Sequence, residues 1–347
     1  MKTTFAVALL MMLFSNLEAQ TTFRKAIFLH HSTGGNIYYK GSNTTVLKEL
    51  ANYNTAKSFT GNQKITMAEE WFGVGNNEWN TMRNFVEGTN GYKISNYFSQ
   101  YNVIIIKSCF PSSEVISEGS SADTKNPIIK SIYNYKWHWR SMVKYMQKHP
   151  EIFFVIWTNA PLEAASTKSE WAANAKNFCN WATNILAKGL DSEYGAFPPN
   201  VFVFDFFGKL TDSNGNMKDI YKTKSGDSHP NAAAADLIAP QFVKEIFDAA
   251  LAYERVITSM PDTKTDQLKI FPIPAQDYLT IEVDDSAIPS TIALTNLCGQ
   301  KLFSKVIDSE KLHQKVTIDV SKYPSGLYLV NIESPKKKTE VHKIIIQ

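Results

Sequence analysis

A serine hydroxyl and an imidazole stand nearly two hundred residues apart in this chain, each in a setting suited to proton transfer. Ser32 lies in Ile27-Phe28-Leu29-His30-His31-Ser32-Thr33-Gly34-Gly35-Asn36, an apolar run that passes into a small Gly-rich turn. His229 lies in Gly226-Asp227-Ser228-His229-Pro230-Asn231, with an acid two residues before the imidazole and an Ala-rich segment after it. A serine hydroxyl attacks poorly at neutral pH until a base removes its proton. Histidine has the unperturbed pKa for that task. The expected constellation is Ser32 as nucleophile, His229 as base and Asp227 as the acid that orients it.

Acyl transfer also needs donors aimed at the developing oxyanion. Gly34 in the Thr33-Gly34-Gly35 turn lets the backbone approach closely, and Asn36, Asn76 and Asn77 could add a side-chain amide. Side chains alternate along a strand, so only one of His30 and His31 shares the side of Ser32; His31 is the candidate for substrate contact. Lys107 ends an apolar run where a cation could grip a carboxylate, sulfate or uronate. Trp71, Trp79 and Trp157 are candidates for stacking on sugar rings, against burial in the core.

These residues need elements to carry them. Lys25–Leu29, Val103–Ile106, Phe153–Trp157 and Val201–Phe204 are short, apolar on both faces and rich in β-branched or aromatic residues, as parallel strands covered on two sides should be. Helix-length segments alternate with them: Ser131–Lys148, Lys168–Ala187 and Ala232–Tyr253. The alternation predicts an α/β domain, a doubly wound and mostly parallel sheet of four or five strands with helices on both faces. Ligands in such sheets bind beyond the carboxyl ends of the strands, where Ser32, Lys107–Ser113, Asn159 and Asp205 all fall.

The 347 residues, 44% hydrophobic and 20% charged, suffice for a large core and a second domain. A formal net charge of +3 gives no reason to expect nucleic acid as a partner. Residues 1–19, with Met1-Lys2 and the apolar run Phe5–Phe14, read as a signal peptide, and no later segment is long and apolar enough for a membrane span. Cys109, Cys179 and Cys298 give no disulfide framework and no metal-ligand spacing, so no cofactor is expected. Residues 256–266 are polar, hold a proline and read as a linker. Residues 267–347 show only short alternating runs, the pattern of a small antiparallel β-sandwich.

The C-terminal segment resembles the sorting domain of the type IX secretion system of the Bacteroidetes. Ile270-Phe271-Pro272-Ile273-Pro274-Ala275, Leu294-Thr295-Asn296-Leu297-Cys298-Gly299-Gln300, Tyr323-Pro324-Ser325-Gly326-Leu327-Tyr328 and the closing Lys343–Gln347 carry the resemblance. It implies the secretion machinery as a partner and a secreted or cell-surface location.

Residues 20–255 resemble the SGNH (GDSL-like) hydrolases. His30-His31-Ser32 occupies the place of that family's glycine-aspartate-serine turn, and His229-Pro230-Asn231 that of its closing histidine. The resemblance carries Ser32 over as nucleophile and His229 as base. The family's aspartate stands three residues before its histidine, where this chain has Gly226, so Asp227 is one residue closer. Its glycine-x-asparagine-aspartate block is replaced by Lys107-Ser108-Cys109-Phe110, so no oxyanion asparagine carries over, and its oxyanion-binding glycine corresponds to Gly75 or Gly73. The resemblance implies an exported esterase that removes acyl groups, acetyl above all, from polysaccharide or glycan. Two alternatives stay open: a glycosidase-type enzyme on acidic or sulfated sugars using Asp205, Glu114 or Asp227, and a non-catalytic glycan-binding protein.

Overall fold

The computed structural model describes residues 22–71, 79–89, 91–258, 268–283, 291–307, 314–334 and 337–347. The expected signal peptide, residues 1–19, lies outside them, as do Gly73, Gly75, Asn76 and Asn77.

Five strands form the central sheet: β1 (Lys25–His30), β2 (Thr66–Trp71), β3 (Val103–Ile106), β4 (Phe153–Trp157) and β5 (Val201–Phe204). Their order is β2-β1-β3-β4-β5, and every neighbouring pair is parallel. Alternation along each strand feeds two cores. Ala26, Phe28, Val103, Ile105, Val155 and Trp157 join one, packed with α1 (Thr33–Tyr39) and α2 (Val46–Ala56). Ile27, Leu29, Ile104, Ile106, Phe154 and Ile156 join the other, with α3 (Trp79–Glu87), α4 (Ile132–Gln147) and α5 (Ser169–Trp181). A five-residue helix, α6 (Phe206–Leu210), follows β5.

A hairpin, β6 (Lys222–Lys224) and β7 (Asp227–Pro230), turns through Gly226 at φ 78° and leads into α7 (Ala232–Thr258) on the first core. The expected α/β architecture is present. Three details differ from the sequence reading. Thr33–Tyr39 is helical rather than a bare turn, because Ile37 and Tyr38 bury one face against the core. The edge strand β2 (TMAEEW) lacks the apolar signature because half its residues meet solvent. The helix α7 continues through residues 256–258, the first part of the expected linker; residues 259–267 lie outside the described set.

The C-terminal part is all β. Strands β8 (Leu268–Phe271), β9 (Tyr278–Val283) and β12 (Gln314–Asp319) form one antiparallel sheet in the order β12-β9-β8. Strands β10 (Thr291–Asn296), β11 (Lys301–Val306), β13 (Gly326–Ser334) and β14 (Lys337–Ile346) form the other, in the order β11-β10-β13-β14. Leu279, Ile281, Ile292, Leu294, Val316, Val330 and Ile344 meet between them in one core. Cys109 and Cys179 are buried free thiols and Cys298 an exposed one. Among the described residues no helix is long and apolar enough to cross a membrane.

Candidate active site

Ser32 stands immediately before α1 and two residues after the end of β1, at the carboxyl edge of the sheet. Its backbone has φ 27° and ψ −85°, a left-handed conformation that a residue with a Cβ adopts only under constraint. The constraint comes from both sides. Gly34 donates its N–H to the His31 carbonyl (2.7 Å), Asn36 donates its N–H to the Ser32 carbonyl (3.2 Å), and α1 is packed beneath. This tight entry aims the Ser32 hydroxyl at the hairpin that carries His229.

Ser32 Oγ lies 2.5 Å from His229 Nε2, and His229 Nδ1 lies 2.6 Å from Asp227 Oδ1. The bond to Asp227 assigns the proton to Nδ1, which leaves Nε2 to accept from the serine hydroxyl. Asp227 Oδ1 also accepts the His229 backbone N–H at 3.0 Å. These two bonds, backbone first, hold the Asp227 carboxyl below its ordinary value. An extended strand brings residues i and i+2 to one face. The i, i+2 spacing therefore works on β7, although the resembled family uses a longer one.

The hairpin itself is anchored by Glu163, which no sequence signal marked, and by two asparagines, Asn231 and Asn36. Glu163, buried after β4, accepts the Gly226 N–H at 3.0 Å and the Lys222 ammonium at 3.3 Å, while its own N–H donates to Ser228 Oγ at 3.1 Å. Asn231 accepts the Ala234 N–H at the start of α7 (3.1 Å) and donates to the carbonyls of Ile220 and Lys222 (2.9 and 3.0 Å). Asn36 is buried and donates to the Pro230 carbonyl at 2.9 Å, tying α1 to β7 instead of facing an oxyanion. The Phe110 ring meets the His229 ring edge-on, centroids 5.3 Å apart.

Other expected site residues are placed differently. Gly34 spends its N–H on His31, and a Cβ there would stand 2.4 Å from His30 Cβ, so its glycine serves packing over His30. Lys107 is fully buried; it donates to Thr33 Oγ1 and to the Ser108 carbonyl (2.7 Å), and burial lowers its pKa to about 8. It does not reach the open cleft, so it is no grip for a substrate anion. His31 packs its ring on Trp71, centroids 4.2 Å apart, and it is His30 that lines the cleft. Asp205 caps α6 by accepting the Gly208 N–H (2.9 Å), Glu114 pairs with Lys130 (2.8 Å), and Asn159 is buried between Trp79 Nε1 and the Ser112 carbonyl. Trp79 and Trp157 are core residues, whereas Trp71 is exposed.

The cleft is open, about 580 Å³, and is lined by His30, Ser32, Gly35, Asn36, Tyr39 and Lys40 on one strand-helix unit and by Glu69, Trp71, Thr223, Asp227 and His229 on the others. Glu69 was invisible to sequence reading because the polar edge strand carrying it was. It accepts from His30 Nε2 (2.8 Å) and from the Tyr39 hydroxyl (2.5 Å). Burial lowers the His30 pKa to about 4, with the Lys107 charge adding to the shift and Glu69 opposing it.

Comparison with known proteins defines the C-terminal part. Residues 269–347 match the family described as "Secretion system C-terminal sorting domain". The chain therefore carries a type IX sorting domain, engages that secretion machinery, and is secreted or held at the cell surface. No curated protein matches the chain. Among solved structures it is similar to a gut microbial diltiazem-metabolizing enzyme, at 12% identity and a TM-score of 0.38, over 84% of this chain and 62% of that one. It is also similar to a β-glucosidase from Erythrobacter marinus, at 8% identity and a TM-score of 0.22, over 94% of this chain and 47% of that one. The chain spans less than two thirds of either protein, and likenesses this slight carry no argument about activity.

Proposed function

We propose that this protein is an exported serine hydrolase of the SGNH type that removes acyl groups, acetyl foremost, from polysaccharide. The observation that carries the proposal is the continuous hydrogen-bonded line from Ser32 Oγ through His229 to Asp227, at 2.5 and 2.6 Å.

In this reading Ser32 Oγ attacks the ester carbonyl as its proton passes to His229 Nε2. Asp227 keeps the ring in the tautomer that can accept and stabilises the imidazolium that forms. The oxyanion is received by backbone N–H groups of Ser32 and Gly35 at the turn that starts α1, the Gly34 N–H being engaged with the His31 carbonyl. Gly35 lines the cleft without a side chain, so a carbonyl can approach that turn closely. The imidazolium then protonates the sugar oxygen as its bond to the acyl carbon breaks, so the sugar leaves as an alcohol and the acyl group stays on Ser32. Water, activated by the same ring, releases the acyl group from Ser32 as a carboxylic acid. Against a glycosidase-type alternative stand the burial of Lys107, the separate engagements of Asp205 and Glu114, and the bonding of its third carboxylate, Asp227, to His229.

The test is a fluorophosphonate probe followed by peptide mapping, together with acetate release from acetylated xylan. The proposal expects the label on Ser32 and release abolished by Ser32→Ala. Release that survives Ser32→Ala, or a probe that leaves Ser32 unmodified, would overturn it.

A further inference from the structure

The cleft holds a second group of side chains that take no part in these bond-making steps. Tyr39, the last residue of α1, and Trp71, the last residue of β2, line it with 54% and 56% of their surface exposed. Trp79, Trp139 and Trp157 are fully buried. A large ring left in water at the mouth of a cleft forgoes the stabilisation that burial gives the others, and such apolar area beside a pocket marks a ligand surface. Trp71 is also held in position, since the His31 ring packs on it.

Glu69 supplies the polar part. It stands two residues before Trp71 on the same strand, hence on the same face. Each carboxylate oxygen already accepts one hydrogen bond, Oε1 from Tyr39 and Oε2 from His30, so the group is fixed in direction. An ionised carboxylate offers about four acceptor positions and no donor. About two remain, and the side chain, 27% exposed, lines the cleft. Lys40 also lines the cleft, but as an exposed ammonium on a flexible stem that water solvates well.

We infer that Tyr39, Glu69 and Trp71 form a subsite for the sugar ring bearing the ester, one that takes neutral or amino sugars and disfavours uronates and sulfated sugars. The C–H face of a pyranose packs on the π-face of an aromatic ring. The sugar's hydroxyls, or an ammonium, donate to the free positions of Glu69. A carboxylate or sulfate at the same place would meet Glu69 as a like charge with no proton to offer. The subsite rests on the hydrolase reading only for which bond is cut; sugar binding stands by itself.

The test uses the full chain carrying Ser32→Ala, titrated with xylotetraose, a glucosamine tetramer and tetragalacturonate and followed by tryptophan fluorescence and calorimetry. The first two should bind, and tetragalacturonate should bind at least roughly tenfold more weakly. Adding Trp71→Ala or Glu69→Gln should weaken the first two roughly fivefold or more. Trp71 is exposed, and glutamine keeps an acceptor for His30, so both variants should retain the wild-type circular dichroism. Equal or tighter binding of tetragalacturonate, no binding of any sugar, or binding unmoved by Trp71→Ala overturns the subsite. Sugar binding, with no fluorophosphonate label on Ser32 of the unsubstituted protein, would remove the hydrolase reading alone, and labelling of that protein without sugar binding by the variant would remove the subsite alone.

Discussion

Asp227 accepts two hydrogen bonds from a single residue, His229: one from the ring Nδ1 at 2.6 Å and one from the backbone N–H at 3.0 Å. The carboxylate and the imidazole are thus locked to each other within one short strand, before any other element contributes. The rest of the domain needs only to deliver that pair to the Ser32 hydroxyl.

Asp227→Asn should leave the fold intact and lower kcat by roughly two to four orders of magnitude, with KM little changed. An amide in place of the carboxylate can present N–H to Nδ1, reverse the tautomer and leave Nε2 unable to accept from Ser32. Steady-state kinetics on p-nitrophenyl acetate checks this, and a variant within about threefold of wild type would deny Asp227 the role.

Ser32→Gly should be more stable than Ser32→Ala by about 1 kcal/mol. Both remove the hydroxyl, but only glycine adopts φ 27° without steric cost. Differential scanning calorimetry of the two inactive variants isolates the backbone strain from the lost hydrogen bond. Equal melting temperatures would show that the turn at Ser32 stores no strain.

Gly34→Ala should destabilise the domain by about 1–3 kcal/mol and reduce turnover sharply. The new Cβ would stand 2.4 Å from His30 Cβ and 2.7 Å from His30 Cγ, atoms close to the backbone that cannot swing away. The relief must come from α1 moving, and α1 sets Ser32. Urea unfolding and kcat/KM read the two effects, and a silent substitution would mean that the helix tolerates displacement.

Acid should weaken the protein well before its carboxylates titrate. Burial lowers the pKa of His30 and His138 from 6.5 to about 4. Between those limits the unfolded chain binds protons that the folded chain refuses. The contribution is full above pH 6.5 and is lost as pH falls towards 4, with a slope of about 1.4 kcal/mol per pH unit for each ring. His138 donates from Nε2 to the Pro127 carbonyl at 2.8 Å, a bond that His138→Gln can replace. That variant should flatten the fall in urea midpoint between pH 6.5 and 4.5. An unchanged slope would count against the burial effect.

Four of the five sheet strands were legible because strands covered on both faces must be apolar throughout, and that leaves a local mark at Lys25–Leu29, Val103–Ile106, Phe153–Trp157 and Val201–Phe204. The fifth, Thr66–Trp71, was silent because an edge strand is half solvated. With it went Glu69, the carboxylate that lines the cleft opposite the hairpin's own acid. Glu163 was equally silent, since its partners Gly226 and Lys222 lie about sixty residues away in sequence.

By itself the sequence determined what burial and periodicity write locally: the strands of the parallel sheet, the long helices, the C-terminal sorting domain, and a serine and a histidine each in a setting fit for chemistry. Tertiary structure decided which groups meet. It turned Lys107 inward to Thr33, set His31 under Trp71 and His30 against Glu69, gave Gly34 a packing role, and closed the gap between Ser32 and His229 to 2.5 Å. The physical reason is range. Propensity and alternation act over a few residues, whereas a contact across 197 residues exists only once the sheet has packed and α1 and α7 have closed on it.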